Sequence, residues 1–242
     1  MNYQIIIAYD GTNYHGWQMQ GERPTIQLAL SNALATIAGA PVVVHGAGRT
    51  DSGVHAEGQV ASFHLPKEWT GAALRKAING NLPPDIRVLQ AEQVSEKFHA
   101  RFSAKGKTYR YQIYNADVMN PLLARFAWHF PFPLNLAQLK QDGAALLGTH
   151  DFTVFTVAAC ETHTNVRTIT GFRGEQHASL LQLHFSGEGF LRYQVRAMVM
   201  ALLELNRGRL GMTMSELIAS QQRALIRGSA PAHGLTLVAV EY

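Results

Sequence analysis

The stretch Thr108-Tyr109-Arg110-Tyr111-Gln112-Ile113 alternates large apolar with polar side chains, the period-two pattern of a strand with one buried face. Downstream of it, Asn135 is placed to cap a helix carrying Leu136, Leu139, Leu146 and Leu147, with Gly148 behind it. Residues 166–172 read as a weaker strand, and Leu181, Leu183 and Phe185 alternate with Gln182, His184 and Ser186 as a clear one. Leu191, Val195, Met198, Val199 and Leu202 recur at helical spacing. Thr213 and Glu216 are spaced as a capping box for an extra helix, and residues 235–240 close as a strand.

The same order stands upstream. Residues 3–9 are apolar and β-branched and stop at Asp10-Gly11, a strand and its turn. Ile26, Leu30, Ala33, Leu34 and Ile37 mark a helix that ends before Gly39. Residues 41–44 open a second strand, 59–65 a third, 73–78 a short helix, and Ile86, Val88 and Leu89 a fourth strand. The chain therefore reads βαββαβ twice, dividing near residues 95–103. The predicted fold class is α/β (α+β): two ferredoxin-like, RRM-like units, 1–100 and 101–242. Their strands are expected to form a joint mixed or antiparallel sheet with helices on one face.

Composition sets the outer bounds. Of 242 residues 47% are hydrophobic and 16% charged, enough apolar material for a substantial core. The net charge of +4 suits a polyanionic partner and equally an ordinary basic surface. One cysteine, Cys160, rules out an intrachain disulfide, and nothing around it marks a nucleophile. The first residues read as a strand rather than a signal peptide, and no apolar run approaches the ~18 residues of a membrane span. A soluble, cytoplasmic protein is the expectation.

Chemistry concentrates in residues 46–58, Gly-Ala-Gly-Arg-Thr-Asp-Ser-Gly-Val-His-Ala-Glu-Gly. Four glycines in thirteen residues permit tight turns and close backbone approach around Arg49, Asp51, His55 and Glu57. Gly, Asp and Ser are also what plain turns are made of. The segment lacks the Gly-Lys-Ser/Thr ending of a phosphate loop, and His45, His55 and His64 do not have the spacing of metal ligands.

The run Gly48-Arg49-Thr50-Asp51-Ser52-Gly53-Val54-His55-Ala56 resembles the signature of the TruA family of tRNA pseudouridine synthases. Five further segments resemble the family in order: Tyr9-Asp10-Gly11-Thr12 with Gly16-Trp17-Gln18; Phe98-His99-Ala100-Arg101-Phe102-Ser103-Ala104 with Tyr109-Arg110-Tyr111; Gly148-Thr149-His150-Asp151-Phe152; Gly189-Phe190-Leu191 with Val195-Arg196; and Pro231-Ala232 with Gly234-Leu235. The resemblance implies the pseudouridine synthase fold and an isomerase acting on tRNA without cofactor or metal. It implies a homodimer and uridines of the anticodon stem-loop as targets. Asp51 would be the nucleophile or base, Arg196 its ion-pair partner, and Arg49 the residue that fills the space left by a flipped uridine. Tyr109 would stack on the uracil and Leu235 would close the pocket. From residues alone, Tyr109 and Leu235 read equally as core, and Arg196 as a surface arginine whose stem lies along its helix.

Arg23, Arg101, Lys105, Lys107, Arg110 and Arg192 are candidate phosphate contacts, or solvated charges. Tyr14, His15 and Trp17 would insert near a base or pack their loop down. Ser52, Lys107, Gln194, Met200 and Thr236 depart from the family's commoner residues, which leaves room for a paralogue with a different uridine or RNA. Two other classes are weaker readings. One is a non-catalytic RNA-binding or RNA-chaperone protein; the other is an aspartate-dependent hydrolase, for which no second carboxylate or triad partner is evident.

Overall fold

The computed structural model describes residues 1–156 and 164–242; Cys160 lies outside the described residues. The chain runs β1 (Asn2–Tyr9), α1 (Ile26–Ala38), β2 (His45–Gly46), β3 (His55–His64), α2 (Gly71–Gly80) and β4 (Ile86–Val94). It continues β5 (Gly106–Tyr114), β6 (Trp128–His129), α3 (Leu136–Ala144), β7 (Gly148–Asp151), β8 (Val166–His177) and β9 (Leu180–Gly187). It ends α4 (Gln194–Asn206), α5 (Met214–Ser220) and β10 (Leu235–Glu241), an α+β arrangement. No helix among the described residues is long and apolar enough to cross a membrane.

Two compact units form, Met1–Lys105 with Thr236–Tyr242, and Gly106–Leu235. The expected division put all of 101–242 together; the last strand instead packs with the first unit. Thr236 and Leu237 pair in parallel with His55 and Ala56 of β3. Gly58 makes the approach possible, because a Cβ there would stand 2.3 Å from the Val238 carbonyl oxygen. Lys105 N–H donates to the Glu241 carbonyl at 2.8 Å, and the Tyr242 hydroxyl donates to the Ala100 carbonyl at 2.7 Å.

In the first unit the strand order is β4-β1-β3-β10, with β2 at the side of β3. Tyr3, Ile5, Ile7 and Tyr9 of β1 are buried on one side. The other side carries Ile6, Val60, Ala47 and Val240, covered by Phe98, Ala100 and Tyr242. Thr25 caps α1 and Thr70 caps α2, each accepting a backbone N–H three residues on. Residues 41–44 do not form the expected strand. Pro41 has no N–H to give, and only His45 and Gly46 pair, with Ser62 and Ala61.

In the second unit the order is β5-β9-β8-β7, antiparallel throughout, with β6 parallel to β5. Asn135 caps α3 through Gln138 N–H, as its position in the sequence predicts. The capping box forms as well: Thr213 N–H donates to Glu216 Oε2 at 2.7 Å, and Glu216 N–H to Thr213 Oγ1 at 3.3 Å. The Thr213 N–H, together with the Thr213 hydroxyl that donates to the same oxygen at 2.9 Å, holds the Glu216 carboxyl below its usual range. The short strands β6 and β7 have too few residues to show a period.

Candidate active site

Asp51 stands in the loop between β2 and β3, whose last expected residues, His55–Gly58, belong to the strand. The loop is shaped by main-chain bonds. Val54 N–H donates to the Asp51 carbonyl at 3.1 Å, closing a turn, with Gly53 at a φ of +79 inside it. Asp51 is half-buried, while its neighbour Thr50 is buried. Thr50 Oγ1 lies 2.8 Å from the Tyr9 hydroxyl at the end of β1. Burial pushes the Tyr9 phenol up to about 12, so it stays neutral and able to donate.

A second loop, residues 10–25, braces the first. Trp17 N–H donates to the Thr50 carbonyl at 3.1 Å, and Gly53 N–H and the Ser52 hydroxyl both donate to the Tyr14 carbonyl at 3.2 Å. Trp17 is 2% exposed, so it packs the loop down rather than reaching for a base. Its ring lies on Gly46, where a Cβ would stand 2.4 Å away. Tyr14 is tied outward, its hydroxyl donating to Asp85 Oδ1 at 2.7 Å. His55 Nδ1 accepts Gly11 N–H at 3.0 Å and has Asp10 Oδ1 at 3.2 Å.

Two glycines let the loops touch. A Cβ on Gly11 would stand 2.0 Å from the Val54 carbonyl oxygen; one on Gly16, at a φ of +82, would stand 2.4 Å from that of Thr50. Gly16→Ala is therefore expected to cost about 1–2 kcal/mol in backbone strain and to displace the Asp51 turn. A displacement near 1 Å would cut turnover on the order of 100-fold. Melting temperature and turnover measured together check this; turnover falling no further than stability explains would count against the bracing role.

In the second unit, Arg196 lies in the first turn of α4. Its Nε donates to the Ala230 carbonyl at 2.7 Å, and Ala230 N–H donates to the Arg196 carbonyl at 3.1 Å. The Tyr193 ring, at a positive φ of 65, lies under both Arg196 and Arg192, at 5.3 and 5.0 Å. The Arg196 stem is thus fixed against a neighbouring segment, unlike a loose surface arginine. Tyr109 is 8% exposed and meets Phe190 edge-on at 5.2 Å. The Tyr111 hydroxyl donates to the Pro231 carbonyl at 2.8 Å, and Gly234 lies against the Tyr111 ring. Burial raises the Tyr111 phenol, and burial lowers the His233 imidazole. Leu235 is buried directly before Thr236, the residue paired with His55.

The first unit thus holds Asp51 and Arg49, whose Nε donates to Gln18 Oε1 at 3.2 Å. The second holds Arg196, Tyr109 and Leu235. Arg23, Arg101, Lys105 and Arg192 are exposed, whereas Lys107 and Arg110 are half-buried. Two of the departures lie in the interior. Gln194 is buried, its Oε1 accepting Leu191 N–H at 2.7 Å, and Thr236 is buried in β10. Sequence reasoning missed the bracing by Tyr9, Thr50 and Gly16; the pair Gly16-Trp17 was the available signal.

A glycine-rich loop held by main-chain bonds and presenting a half-buried carboxylate is an arrangement suited to an enzyme. The family model described as "tRNA pseudouridine synthase" matches residues 5–103 and 144–242, and the chain belongs to that family. A protein named tRNA pseudouridine synthase A from Limosilactobacillus reuteri (strain DSM 20016) is 42% identical over 99% of this chain and 96% of its own. Proteins of that name from Methylacidiphilum infernorum and Acetivibrio thermocellus are each 39% identical over 100% of this chain, and over 96% and 99% of theirs. A chain of a Cbf5-Nop10-Gar1 complex aligns at a TM-score of 0.33 and 11% identity, over 81% of this chain and 53% of that one, too weak a likeness to argue from.

Proposed function

We propose that this chain isomerises uridine to pseudouridine in the anticodon stem-loop of tRNA, at positions 38–40, with Asp51 as its catalytic carboxylate. The C1′–N1 bond breaks, C1′ bonds to C5, the C5 hydrogen leaves as a proton and N1 gains one. The net change is an isomerisation. The observation that carries the reading is the clamped loop. Thr50 and Ser52, on either side of Asp51, are each bonded to the 10–25 loop, so the carboxylate is presented rather than mobile.

The remaining roles follow the family resemblance. Arg196 pairs with Asp51, Arg49 occupies the space of the flipped nucleotide, and Tyr109 and Leu235 enclose the base. Arg23, Arg101, Lys105 and Arg192, being exposed, are suited to phosphates, with Lys107 and Arg110 contributing from half-buried positions. The test is release of tritium from tRNA labelled at uridine C5, followed by mapping of the product. Release from positions 38–40 supports the reading; binding without release overturns it.

The protein is also read as a cytoplasmic homodimer in which tRNA bridges two subunits. Mass in solution should be about twice 26.7 kDa, and an active species of one chain's mass would overturn the dimer.

A further inference from the structure

The strands of the second unit have a polar side. Tyr109, Tyr111 and Ile113 of β5 and Leu181, Leu183 and Phe185 of β9 are buried in the core. Alternation turns Thr108 and Arg110, and likewise His184 and Ser186, to the opposite side. Register then aligns them across three strands. Arg110 stands opposite His184, and His184 opposite Arg173 of β8. Thr108 stands opposite Ser186, and Ser186 opposite Gly171. A row of basic side chains therefore runs beside a row made of two hydroxyls and a glycine.

Between them is a hollow of about 210 Å³, lined by Thr108, Gly171, Phe172, Arg173, His184 and Ser186. Among the described residues, no acidic side chain lines it. The Thr108 and Ser186 hydroxyls are 2.8 Å apart, and one donates to the other. Arg173 is 64% exposed, and its Nε meets Glu175 Oε1 at 3.0 Å. That contact is made through Nε, while four of a guanidinium's five N–H donors sit on its terminal nitrogens. Gly171 keeps the hollow open: its φ is not left-handed, and a Cβ there would touch Ser186 Cβ at 3.4 Å, ordinary contact.

We infer that this hollow is an anion site that takes a backbone phosphodiester of the RNA substrate, with Arg173 as its principal contact. Size and charge select the ligand. The volume is several times the ~30 Å³ of a water, room for a phosphate group and its hydration. It falls short of the ~300–1,000 Å³ typical of pockets that enclose a whole small molecule. The basic row and the net charge of +4 complement a polyanion. The inference rests on the chain being an RNA-modifying enzyme and adds a contact outside its reaction centre.

The test uses the full chain, with tRNA binding measured across salt concentrations and tritium release measured at steady state. Arg173→Ala should raise KM for tRNA about fivefold with kcat unchanged, and reduce the slope of log affinity against log salt by about 1. Gly171→Leu fills the hollow without changing charge and should raise KM comparably. If that variant unfolds, Gly171→Ala replaces it. Unchanged KM and slope in Arg173→Ala overturn the site. So does a raised KM in Arg173→Ala with none in folded Gly171→Leu, since the arginine would then act only as diffuse charge. A wild type that releases no tritium overturns the enzyme reading instead; an active wild type matched by both variants overturns the anion site alone.

Discussion

Asp51→Ala is expected to fold as the wild type does and to release no measurable tritium from uridine-labelled tRNA, a loss of at least about 10³-fold. The main-chain bonds that shape its loop survive the change. Trp17 N–H still reaches the Thr50 carbonyl, Gly53 N–H the Tyr14 carbonyl, and Val54 N–H the carbonyl of residue 51 itself. The buried Thr50–Tyr9 contact is equally untouched. The main-chain frame of the loop therefore does not depend on the carboxylate. Melting temperature, tRNA affinity and tritium release measured on one preparation check it, and retained release would remove Asp51 from the mechanism.

The second large effect is expected at Arg196. Arg196→Ala should bind tRNA nearly as well as the wild type and turn over on the order of 100-fold more slowly, because the carboxylate loses its proposed cationic partner. Loss of the bond from Nε to the Ala230 carbonyl adds about 1 kcal/mol of destabilisation. Arg196→Lys should not restore turnover. A lysine has no Nε donor at that point of the chain, so its charge would not be oriented by Ala230 and the Tyr193 ring. Comparable turnover in Arg196→Lys and wild type would mean that position 196 supplies charge alone.

Much of this architecture is legible in the sequence because local signals are strong. The Tyr109–Tyr111–Ile113 alternation, the Asn135 cap and the Thr213–Glu216 box each depend on residues near one another in sequence, and each stands where its pattern predicts. Residues 41–44 mislead, since their apolar side chains suit a strand while Pro41 and the pairing of only His45 and Gly46 prevent one. Helical spacing starts α4 at Leu191, whereas the helix begins at Gln194. Tyr193 takes a left-handed conformation there, which periodicity does not reveal.

The candidate site divides the same way. Asp51 is visible as a carboxylate among glycines, and the family resemblance supplies its prospective company. What the amino-acid sequence determined by itself is the βαββαβ order of the first half, the long strands and capped helices of the second, and the family, because these follow from side-chain period, short-range hydrogen bonds and matching residues; the short β6 and β7 escaped it. Only the tertiary structure decided that the last strand joins the first unit, that Gly16 and Trp17 clamp the Asp51 turn, and that Arg173 shares a row with His184 on the polar side of the second unit. Each of those depends on residues well apart in the chain meeting through strand register and close backbone approach, which no local pattern encodes.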